Sequence, residues 1–533
     1  MTDTKLSLYP RQREALNAIT SFLESNKSVF ILRGYAGTGK TTLLRAIVPA
    51  ILNIGKIAYL MAPTGRATKV LKERVGYGQT STMHRSIYSM VKTTSHLHDE
   101  NGNLFNQNKN NGNIDNHNDD GIGFWFNLRG EPEDGKMPCQ RVYIVDEASM
   151  ISSKKTENEI LHFGTDIVLN DLLTYAQLGS GGKIIFVGDP AQLPPIGDNR
   201  STALDDEFFA SRGISFQSFD LTEVIRQRDG SAILDNASMV RTCLESPQRN
   251  SLVFIRRQGE VEDITASDVV KQYTERCPMP SIGEAVVICF SNNLARLYNN
   301  AIREDYFPDK HTIQNGDILQ VCRNCRTPNV IGGIIYNGDF LRVLDASPTT
   351  ESQSAPVWTN IDGNRCRVNV QLTFRDIVVQ TEYGQVCNMK IVDSLLNGSE
   401  PRLTAIEQTS LYVNFKIRHP ELKEGSKTFN MALTDDPYFN ALNVKYGYAI
   451  TGHKSQGGEW NTVFVDYTQR TGLDNDTLRW IYTTTTRAKK QLYGVNLPNI
   501  QPFDKLKFSS ITKISKAPSE SISLTDVGNV GYL

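Results

Sequence analysis

The stretch VFILRGYAGTGKTT, residues 29–42, decides how the rest of the sequence is interpreted. Four apolar residues predict a buried strand, and TTLLRAIVPAILN (41–53) predicts the helix that follows. Between them, residues 34–41 match G-x-x-x-x-G-K-[ST] in the strand–loop–helix context that a P-loop requires. Backbone N–H groups of such a loop surround a polyphosphate, and the helix N-terminus adds a positive dipole end. The predicted phosphate-binding residues are Gly37, Thr38, Gly39, Lys40, Thr41 and Thr42.

A second apolar run, RVYIVDEAS (141–149), ends in the adjacent acids Asp146 and Glu147. Adjacent acids after a strand can simply favour a helix N-terminus. Beside a P-loop, however, they suit phosphate chemistry: Asp146 with the Thr41 hydroxyl would hold Mg²⁺, and Glu147 would polarise the attacking water. Lys40 would reach the β- and γ-phosphates. The sequence therefore predicts hydrolysis of a nucleoside triphosphate.

Short apolar runs alternate with helical patterns along most of the chain, which predicts parallel sheets flanked by helices. The strand candidates are 28–34, 56–64, 141–149, 183–190, 284–291, 448–454, 461–466 and 491–495. We expect two α/β cores that meet near 200–225. Two stretches interrupt the alternation: an Asn-rich segment within 90–140, which we expect to be a loop or a disordered tip, and a β-branched region at 315–430.

Composition limits the class of protein. The chain has 533 residues, of which 39% are hydrophobic and 22% charged, values that exclude a wholly disordered or fibrous protein. The 57 Lys and Arg against 58 Asp and Glu give a net charge of −1, which excludes a generally basic surface but permits a local basic channel. No apolar run is long enough for a membrane span, and the first residues lack an apolar secretory segment. We expect a cytoplasmic protein, in the host cytoplasm if a phage encodes it, without a membrane partner.

Eight cysteines are scattered along the chain, so we expect reduced thiols. Cys322 and Cys325 form the one close pair, and with Cys366 and Cys387 they offer four thiolates for zinc. The second pair lacks the tight spacing of a zinc site, which favours ordinary buried cysteines.

Several ordered stretches resemble the motifs of superfamily-1 helicases, and in particular the RecD-like and Dda-like 5′→3′ DNA helicases. These are KIIFVGDPAQLPPIGD (183–198), LTEVIRQ (221–227), YAITGHKSQGGEW (448–460) and IYTTTTRAKK (481–490). The resemblance extends from about Leu8 to about Val495. The Thr-rich run before Arg487 departs from the family, where hydrophobic residues are more usual.

The resemblance implies further roles at the nucleotide. Gln192 would sense the γ-phosphate, although a turn amide is the alternative. Arg226 and Arg487 would reach the transferring phosphate from the second core, where guanidinium groups can neutralise its charge and close the cleft. Gln12 resembles the adenine-recognising glutamine, and Glu459 would hold the ribose. The cofactors implied are ATP and Mg²⁺.

The same resemblance implies a surface for a nucleic-acid strand. Contacts to sugar and phosphate would be largely independent of base sequence. For His84 a packing role is the alternative. The residues implied in strand binding are Pro63, Thr64, Arg66, Lys69, Thr82, His84, Lys454 and Gln456.

The two interruptions correspond to insertions that the family carries. Two RecA-like cores are implied, the first (1–88 and 141–220) carrying a pin-like 1B element at 89–140. The second core (221–320 and 432–533) would carry an SH3-like, β-rich 2B domain at 321–431. Phe124, Trp125 and Phe126 are the candidates for stacking on a base pair at the fork, and a hydrophobic anchor is the alternative.

The leading hypothesis is an ATP-dependent DNA helicase that moves 5′→3′ on single strands and unwinds duplex DNA in replication, recombination or repair. The expected partners are single-stranded DNA and forked duplex DNA, with a single-strand-binding protein or other replication and repair proteins as further partners of a monomer. Two alternatives stay open: a viral-type superfamily-1 RNA helicase, and an ATP-gated clamp that binds single strands.

Overall fold

The computed structural model describes residues 7–97, 121–132, 134–156, 160–223, 230–327 and 333–502. Most of the Asn-rich segment and Arg226 lie outside the described residues. Within these ranges the chain forms two parallel α/β sheets, one antiparallel sheet and three small sheets.

The α-helices of the described ranges form the flanking layers of both cores and part of the insertion in the second core. In chain order they are α1 Pro10–Glu24, α2 Lys40–Asn53, α3 Gly65–Val75, α4 Met83–Ile87, α5 Val168–Tyr175, α6 Asp206–Ser211, α7 Ala232–Glu245, α8 Asp268–Arg276, α9 Asn292–Tyr306, α10 Asp393–Leu396, α11 Ala405–Arg418, α12 Lys427–Asp435 and α13 Asn475–Thr485.

The strands of the same ranges divide between the cores and their insertions. In the first half they are β1 Val29–Gly34, β2 Ile57–Ala62, β3 Thr80–Thr82, β4 Tyr88–His96, β5 Gly121–Leu128, β6 Arg141–Val145, β7 Leu161–Phe163, β8 Lys183–Gly188 and β9 Phe216–Leu221. In the second half they are β10 Leu252–Val253, β11 Val261–Ile264, β12 Ala285–Cys289, β13 Ile318–Val321, β14 Cys325–Arg326, β15 Ile334–Ile335, β16 Phe340–Ala346, β17 Glu351–Ile361, β18 Asn364–Thr381, β19 Val386–Val392, β20 Val444–Tyr446, β21 Ala449–Thr451, β22 Trp460–Asp466, β23 Ala488–Val495 and β24 Asn499–Ile500.

The first core is a six-stranded parallel sheet in the order β3-β2-β6-β8-β1-β9. Apolar side chains of α1, α2 and α3 cover one face, and those of α4, α5 and α6 cover the other. Because the strands are parallel, the carboxyl ends of β1, β8 and β6 share one edge. The P-loop, Asp189 and Asp146 therefore follow three neighbouring strands at that edge.

The second core is a five-stranded parallel sheet in the order β11-β23-β22-β12-β21. Its hydrophobic core includes side chains of α7, α8, α9 and α13, with Trp460 and Trp480 among its largest buried members. All eight strands predicted from the sequence are present in the two parallel sheets, and the expected fold class of two α/β cores is confirmed.

The insertion in the second core is built on an antiparallel sheet, β17-β18-β16-β13-β20, with β19 paired to β18. This sheet begins at Ile318 and ends at Tyr446, so it reaches beyond the expected range 321–431 at both ends. The β-rich expectation describes only part of the insertion, because α10, α11 and α12 follow β19. A capping box of Thr404 and Glu407 starts α11.

The insertion in the first core is a small sheet in which β4 pairs antiparallel and β7 parallel with β5. Strand β7 comes from outside the expected range 89–140. Buried residues of this sheet and its flanks pack against α11 and α12 of the other insertion. This joint cluster contains Leu97, Ile122, Phe124, Ile160, Tyr412, Phe415, Phe429 and Leu433. The two insertions are thus joined to each other.

The described ranges contain neither a helix that could span a membrane nor a clustered metal site. None of their helices has the length and apolarity needed to cross a membrane. They also contain no group of three or more His, Cys, Asp or Glu side chains arranged to hold a metal ion. The Cys325 thiol instead contacts the backbone carbonyl oxygen of Asn440 at 3.0 Å.

The joint cluster yields a stability prediction. Phe415 is 0% exposed and packs edge-on against Phe429 with ring centroids 5.3 Å apart, whereas Ile417 on the same helix is 59% exposed. Phe415→Ala should lower the free energy of unfolding by about 3–5 kcal/mol because it leaves a cavity. Ile417→Ala, the control, should change it by less than about 0.5 kcal/mol. Urea unfolding followed by circular dichroism measures both, and equal effects would contradict the packing role.

Candidate nucleotide and strand site

The P-loop has the conformation that its glycines allow. Gly37 and Gly39 have φ values of 83° and 75°, in the left-handed region that favours glycine. The Lys40 ammonium donates to the carbonyl oxygens of Gly34 at 2.5 Å and Tyr35 at 3.2 Å, so it lies over the loop. The Thr38 hydroxyl also donates to the Tyr35 carbonyl, at 2.9 Å. These contacts hold the Lys40 cation at the mouth of the loop.

The two acids at the end of β6 are close together, and at Asp146 the effect of burial outweighs the nearby positive charges of Lys40 and Arg74. Burial and the charge of Glu147 raise the pKa of Asp146 to about 7. The Glu147 N–H donates to Asp146 Oδ1 at 2.9 Å, while the buried Glu147 Oε2 has no hydrogen-bond partner. Glu147 also has a positive φ of 52°, which is uncommon for a non-glycine residue. A divalent cation fits this pair chemically, because it would compensate the buried carboxylates.

The end of β8 supplies a buried acid and a buried amide. Asp189 is completely buried, and its removal from water raises its pKa, an effect that the Lys40 charge opposes. Gln192 is also buried, and its Oε1 has no hydrogen-bond partner. Gln192 Oε1 and Glu147 Oε2 are thus two unsatisfied acceptors that follow neighbouring strands. A water molecule has the donors that such acceptors need.

A strip of hydrogen bonds joins the two cores beside the P-loop. The Tyr482 hydroxyl of α13 accepts from the Ala36 N–H at 2.9 Å and donates to Asp189 Oδ2 at 2.9 Å. Thr483 Oγ1 accepts from the Leu193 N–H at 2.9 Å. Gln456 Nε2 donates to the Leu193 carbonyl oxygen at 2.9 Å. The sequence predicts that Gln456 contacts the nucleic-acid strand. In the structure its amide belongs to this strip of hydrogen bonds between the two cores.

A second contact between the P-loop and core 2 involves Tyr35. Its ring lies under the Arg241 guanidinium, 4.4 Å from the guanidinium carbon, and its hydroxyl donates to Glu245. Both partners are on α7. The P-loop is therefore held by α7 and α13 of the second core. Sequence reasoning missed Tyr35, Asp189, Arg241, Tyr482 and Thr483, although most of them lie inside or beside the quoted motif stretches.

The predicted arginine Arg487 is buried beside this strip. It donates to the carbonyl oxygens of Thr483 at 2.8 Å and Gly458 at 3.2 Å, and to Thr486 Oγ1 at 2.9 Å. Its positive charge also acts to lower the pKa of Asp189. Arg487 thus lies near the P-loop, and its guanidinium N–H groups donate hydrogen bonds to acceptors within core 2.

The residues predicted to hold adenine and ribose are used in contacts between elements. The buried Gln12 amide donates to the carbonyl oxygens of Thr38 at 3.4 Å and Gly39 at 3.2 Å, and its Oε1 accepts from the Tyr9 N–H at 3.1 Å. Gln12 therefore ties α1 to the P-loop. Glu459 of the second core forms an ion pair with Arg74 of α3 at 3.4 Å.

Helix α3 carries the first group of predicted strand residues, and it packs against the second core and its insertion. Thr64 caps the helix by accepting from the Ala67 N–H at 3.2 Å. The Arg66 guanidinium pairs with Glu382 at 3.4 Å and lies 5.0 Å from the ring of Trp460. The Lys69 ammonium lies 3.7 Å from the ring of Tyr383. Both cations are therefore in contact with the insertion or core 2.

The second group lies on α4 and in the loop before β22. Thr82 caps α4 by accepting from the Arg85 N–H at 3.4 Å. His84 packs against the rings of Tyr88 and Phe163, and burial lowers its pKa. These contacts favour the packing alternative for His84. Lys454 is half-buried and lines a cleft between core 2 and the insertion.

The three aromatic residues of β5 do not form one surface. Phe124 is buried in the joint cluster, and Phe126 stacks on Phe163 at 4.6 Å. Trp125 points to the other side of the strand, is 43% exposed and stacks on His162 at 4.1 Å. Phe124 and Phe126 thus have the geometry of an anchor, and Trp125 alone presents an aromatic face to solvent.

Comparison with known proteins adds two matched families. The family described as "AAA domain" matches residues 7–266, and the "UvrD-like helicase C-terminal domain" matches residues 446–495. The first range contains the P-loop and the acids of β6, and the second contains Gln456, Tyr482 and Arg487.

Two curated proteins and one solved structure are similar to the chain. The ATP-dependent DNA helicase dda of Enterobacteria phage T4 is 25% identical over 64% of this chain and 68% of its own length. The RecBCD enzyme subunit RecD of Buchnera aphidicola is 21% identical over 91% of this chain and 73% of its own length. A crystal structure of the Pif1 helicase from Bacteroides with ADP-AlF3 and single-stranded DNA is 16% identical, covers 92% of each chain and has a TM-score of 0.42.

The matched families follow the order of the sequence motifs, and the residues that carry the motifs converge at the P-loop edge of the first sheet. The chain therefore resembles superfamily-1 helicases of the branch that includes the RecD-like and Dda-like enzymes.

Proposed function

We propose that the chain is an ATP-dependent DNA helicase that moves 5′→3′ along single-stranded DNA and separates forked duplexes during replication, recombination or repair. The observation that carries the proposal is the Tyr482 hydroxyl, which joins a P-loop amide of core 1 to core 2. A P-loop enzyme that only hydrolyses a small molecule has no need of a second core tied to its phosphate loop. The direction of movement rests on the resemblance to the RecD-like and Dda-like branch.

The chemistry assigned to this site is attack of water on the γ-phosphorus of ATP, which breaks the bond to the β,γ-bridging oxygen and releases ADP and phosphate. Glu147 and Gln192, each with a buried acceptor oxygen free of partners, orient the water, and Glu147 takes up its proton. Lys40 and, from the second core, Arg226 and Arg487 compensate the charge on the transferring phosphoryl group. Thr41 and Asp146 are the residues that would hold Mg²⁺, which would compensate the negative charge of the phosphates.

Hydrolysis is coupled to movement through the strip between the cores. Hydrogen bonds are directional, so a small shift of the P-loop or of Asp189 breaks the bonds of Tyr482. The two cores then change their separation with the state of the nucleotide. A strand bound across both cores is moved by that change. We also propose the division into cores 1–88 with 141–220 and 221–320 with 432–533, apart from β7, β13 and β20, which belong to the insertion sheets. We further propose a monomeric enzyme in the cytoplasm.

Two other functions are compatible with the motifs. An RNA helicase uses the same backbone contacts, and it would be activated by RNA rather than by DNA. An ATP-gated clamp would bind single strands without unwinding. Forked duplexes with either a 5′ or a 3′ tail, incubated with ATP, separate these functions: we expect unwinding of the 5′-tailed fork alone. Unwinding of neither fork would favour the clamp, and unwinding of the 3′-tailed fork would reverse the direction.

The first prediction of this function concerns hydrolysis. Lys40→Ala should abolish ATPase activity because it removes the cation at the phosphates. Glu147→Gln should retain ATP binding but not turnover, because an amide does not take up the proton of the attacking water. Steady-state phosphate release and binding of a fluorescent ATP analogue measure the two effects. Substantial turnover in either variant would mean that these residues do not form the hydrolytic site.

The second prediction concerns coupling. Wild-type hydrolysis should be slow alone and strongly stimulated by single-stranded DNA, with less stimulation at higher salt because phosphate contacts release counterions. Tyr482→Phe leaves the Ala36 N–H and an Asp189 oxygen without their shared partner, so stimulated turnover should fall roughly 10- to 100-fold, the equivalent of one hydrogen bond to a charged group.

Tyr467→Phe is the matched control, because its buried hydroxyl contacts Thr485 within the same core at 3.0 Å and touches no P-loop residue. Both variants should lose similar thermal stability, and only Tyr482→Phe should lose stimulation. If the two variants lost the same fraction of stimulated turnover, Tyr482 would have a structural role alone.

The third prediction separates moving from unwinding. Trp125→Ala should leave DNA-stimulated ATPase unchanged and slow the unwinding of a 5′-tailed fork by about 10-fold, because stacking of a base on an aromatic ring is worth roughly 1–3 kcal/mol. Phe124→Ala, in contrast, should lower the melting temperature through the joint cluster. Stopped-flow separation of a fluorophore-labelled fork measures the rate. Unchanged unwinding in Trp125→Ala would place the strand-separating element elsewhere.

A further inference from the structure

A second polar site lies between the second core and its insertion, away from the P-loop strip. It is a cleft between α9 and the loop that follows α10. Four lining residues carry its chemistry: Arg296 on α9, Gln320 on β13, Lys445 on β20, and Lys454. Three of the four are cations, so the cleft has the electrostatic character of an anion site.

The side-chain amide of Gln320 is the feature that points to a ligand. Its side chain is 2% exposed, and its Nε2 has no hydrogen-bond partner. Buried amide donors are nearly always paired, so an unpaired one in a lining residue is a donor available to an acceptor bound in the cleft. Gln320 and Lys445 are directly opposite each other in the antiparallel pair of β13 and β20. Their side chains therefore lie on the same face of the sheet.

Lys445 shows that positive charge is concentrated in the cleft. Its ammonium donates to the carbonyl oxygens of Leu395 and, at 2.9 Å, Gly398 in the insertion. Burial, and to a smaller extent the charges of Lys454 and Arg296, lower the pKa of Lys445 to about 8. The thiol of Cys322 and the carboxylate of Glu400 act in the opposite direction. A bound anion would relieve the repulsion among these cations.

Two ligand classes have this chemistry: a phosphodiester of a nucleic-acid strand and free inorganic phosphate. The cleft is continuous with Lys454, which the sequence motifs assign to strand contact, and Arg296 lies at its exposed rim. A strand that passes Lys454 can place its next phosphate against Arg296, Lys445 and Gln320 without leaving the surface. Free inorganic phosphate would not use the neighbouring contact at Lys454. The proposed reaction also gives free phosphate no role outside the P-loop.

We infer that this cleft binds one backbone phosphate of the translocating strand, with Gln320 as a neutral donor and Arg296, Lys445 and Lys454 as cations. The inference rests on the proposed function, because it extends the strand path from core 2 onto the insertion. It makes the insertion part of the strand-binding surface rather than only a support for the other insertion.

The test measures affinity for a fluorescein-labelled oligothymidylate by anisotropy over a range of salt concentrations. The variants are Arg296→Ala, Gln320→Leu and Arg296→Ala with Lys445→Met. Lys271→Met, which removes an exposed cation of α8 outside the cleft, is the charge control. Because Arg296 is exposed, its replacement is informative even if the Lys445 variant does not fold.

The double variant should bind about 10-fold more weakly at low salt, and its plot of log K against log salt should be less steep by about 0.7, the loss of one phosphate contact. Gln320→Leu should weaken binding with an unchanged slope, because it removes no charge. Lys271→Met should change neither quantity. Unchanged slopes in the Arg296 variants, or a lower melting temperature without weaker binding, would overturn the inference.

Two further outcomes are distinguishable. If inorganic phosphate binds the wild type and loses that binding in Gln320→Leu while strand affinity is unaffected, the cleft is a free-anion site and the strand assignment is wrong. If the wild-type chain does not bind single-stranded DNA at all, the proposed function itself fails. Weakened strand binding in the cleft variants alone supports the inference.

Discussion

The buried Tyr482 hydroxyl is the interaction on which the arrangement of the two cores depends. It satisfies the Ala36 N–H and an oxygen of the fully buried Asp189 at once, and both groups would otherwise be buried without this partner. Unpaired buried groups of this kind cost on the order of 1–3 kcal/mol each, and more when charged. The phosphate loop, the end of β8 and helix α13 are therefore held together, and a change at one of them is transmitted to the others.

The requirement that buried polar groups be paired also explains a departure of the sequence from the superfamily-1 pattern. Residues 483–486 are threonines where hydrophobic residues are more usual, and each hydroxyl has a partner in the structure. Thr483 accepts from core 1, Thr484 donates to the carbonyl oxygens of Trp480 and Ile481, and Thr485 contacts the Tyr467 hydroxyl. Thr486 donates to the Thr483 carbonyl oxygen and accepts from Arg487. A polar run can be buried here because α13 and its neighbours satisfy it completely.

Sequence reasoning was reliable where the signal is local. Short apolar runs predicted all eight strands assigned from the sequence, because parallel strands buried on both faces are largely apolar along their length. The P-loop and the acids of β6 were likewise predictable, since motif and flanking elements occur together. The short edge strands β3 and β11 and the helices α11 and α12 were missed. The apolar patterns of β3 and β11 are too short, and those of α11 and α12 follow a β-branched region.

The roles of single polar side chains were less predictable, because they depend on residues distant in sequence. Arg66 has the composition of a phosphate contact, yet its guanidinium lies against Glu382 and Trp460. Gln456 contacts a carbonyl oxygen of core 1, and Phe124 is buried by helices nearly three hundred residues later. No spacing in the sequence encodes these partners. Only the folded chain brings them together.

The joint cluster between the insertions has a mechanical consequence. Apolar contacts are non-directional, so the side chains of Phe124, Phe415 and Phe429 can shift relative to one another while they stay buried. The bonds of Tyr482 tolerate no such movement. A change in the separation of the cores at the nucleotide would therefore be accommodated at the cluster by a rotation of the cores about the joined insertions. Such a rotation would displace residues near Trp125 least and residues at the phosphate loop most.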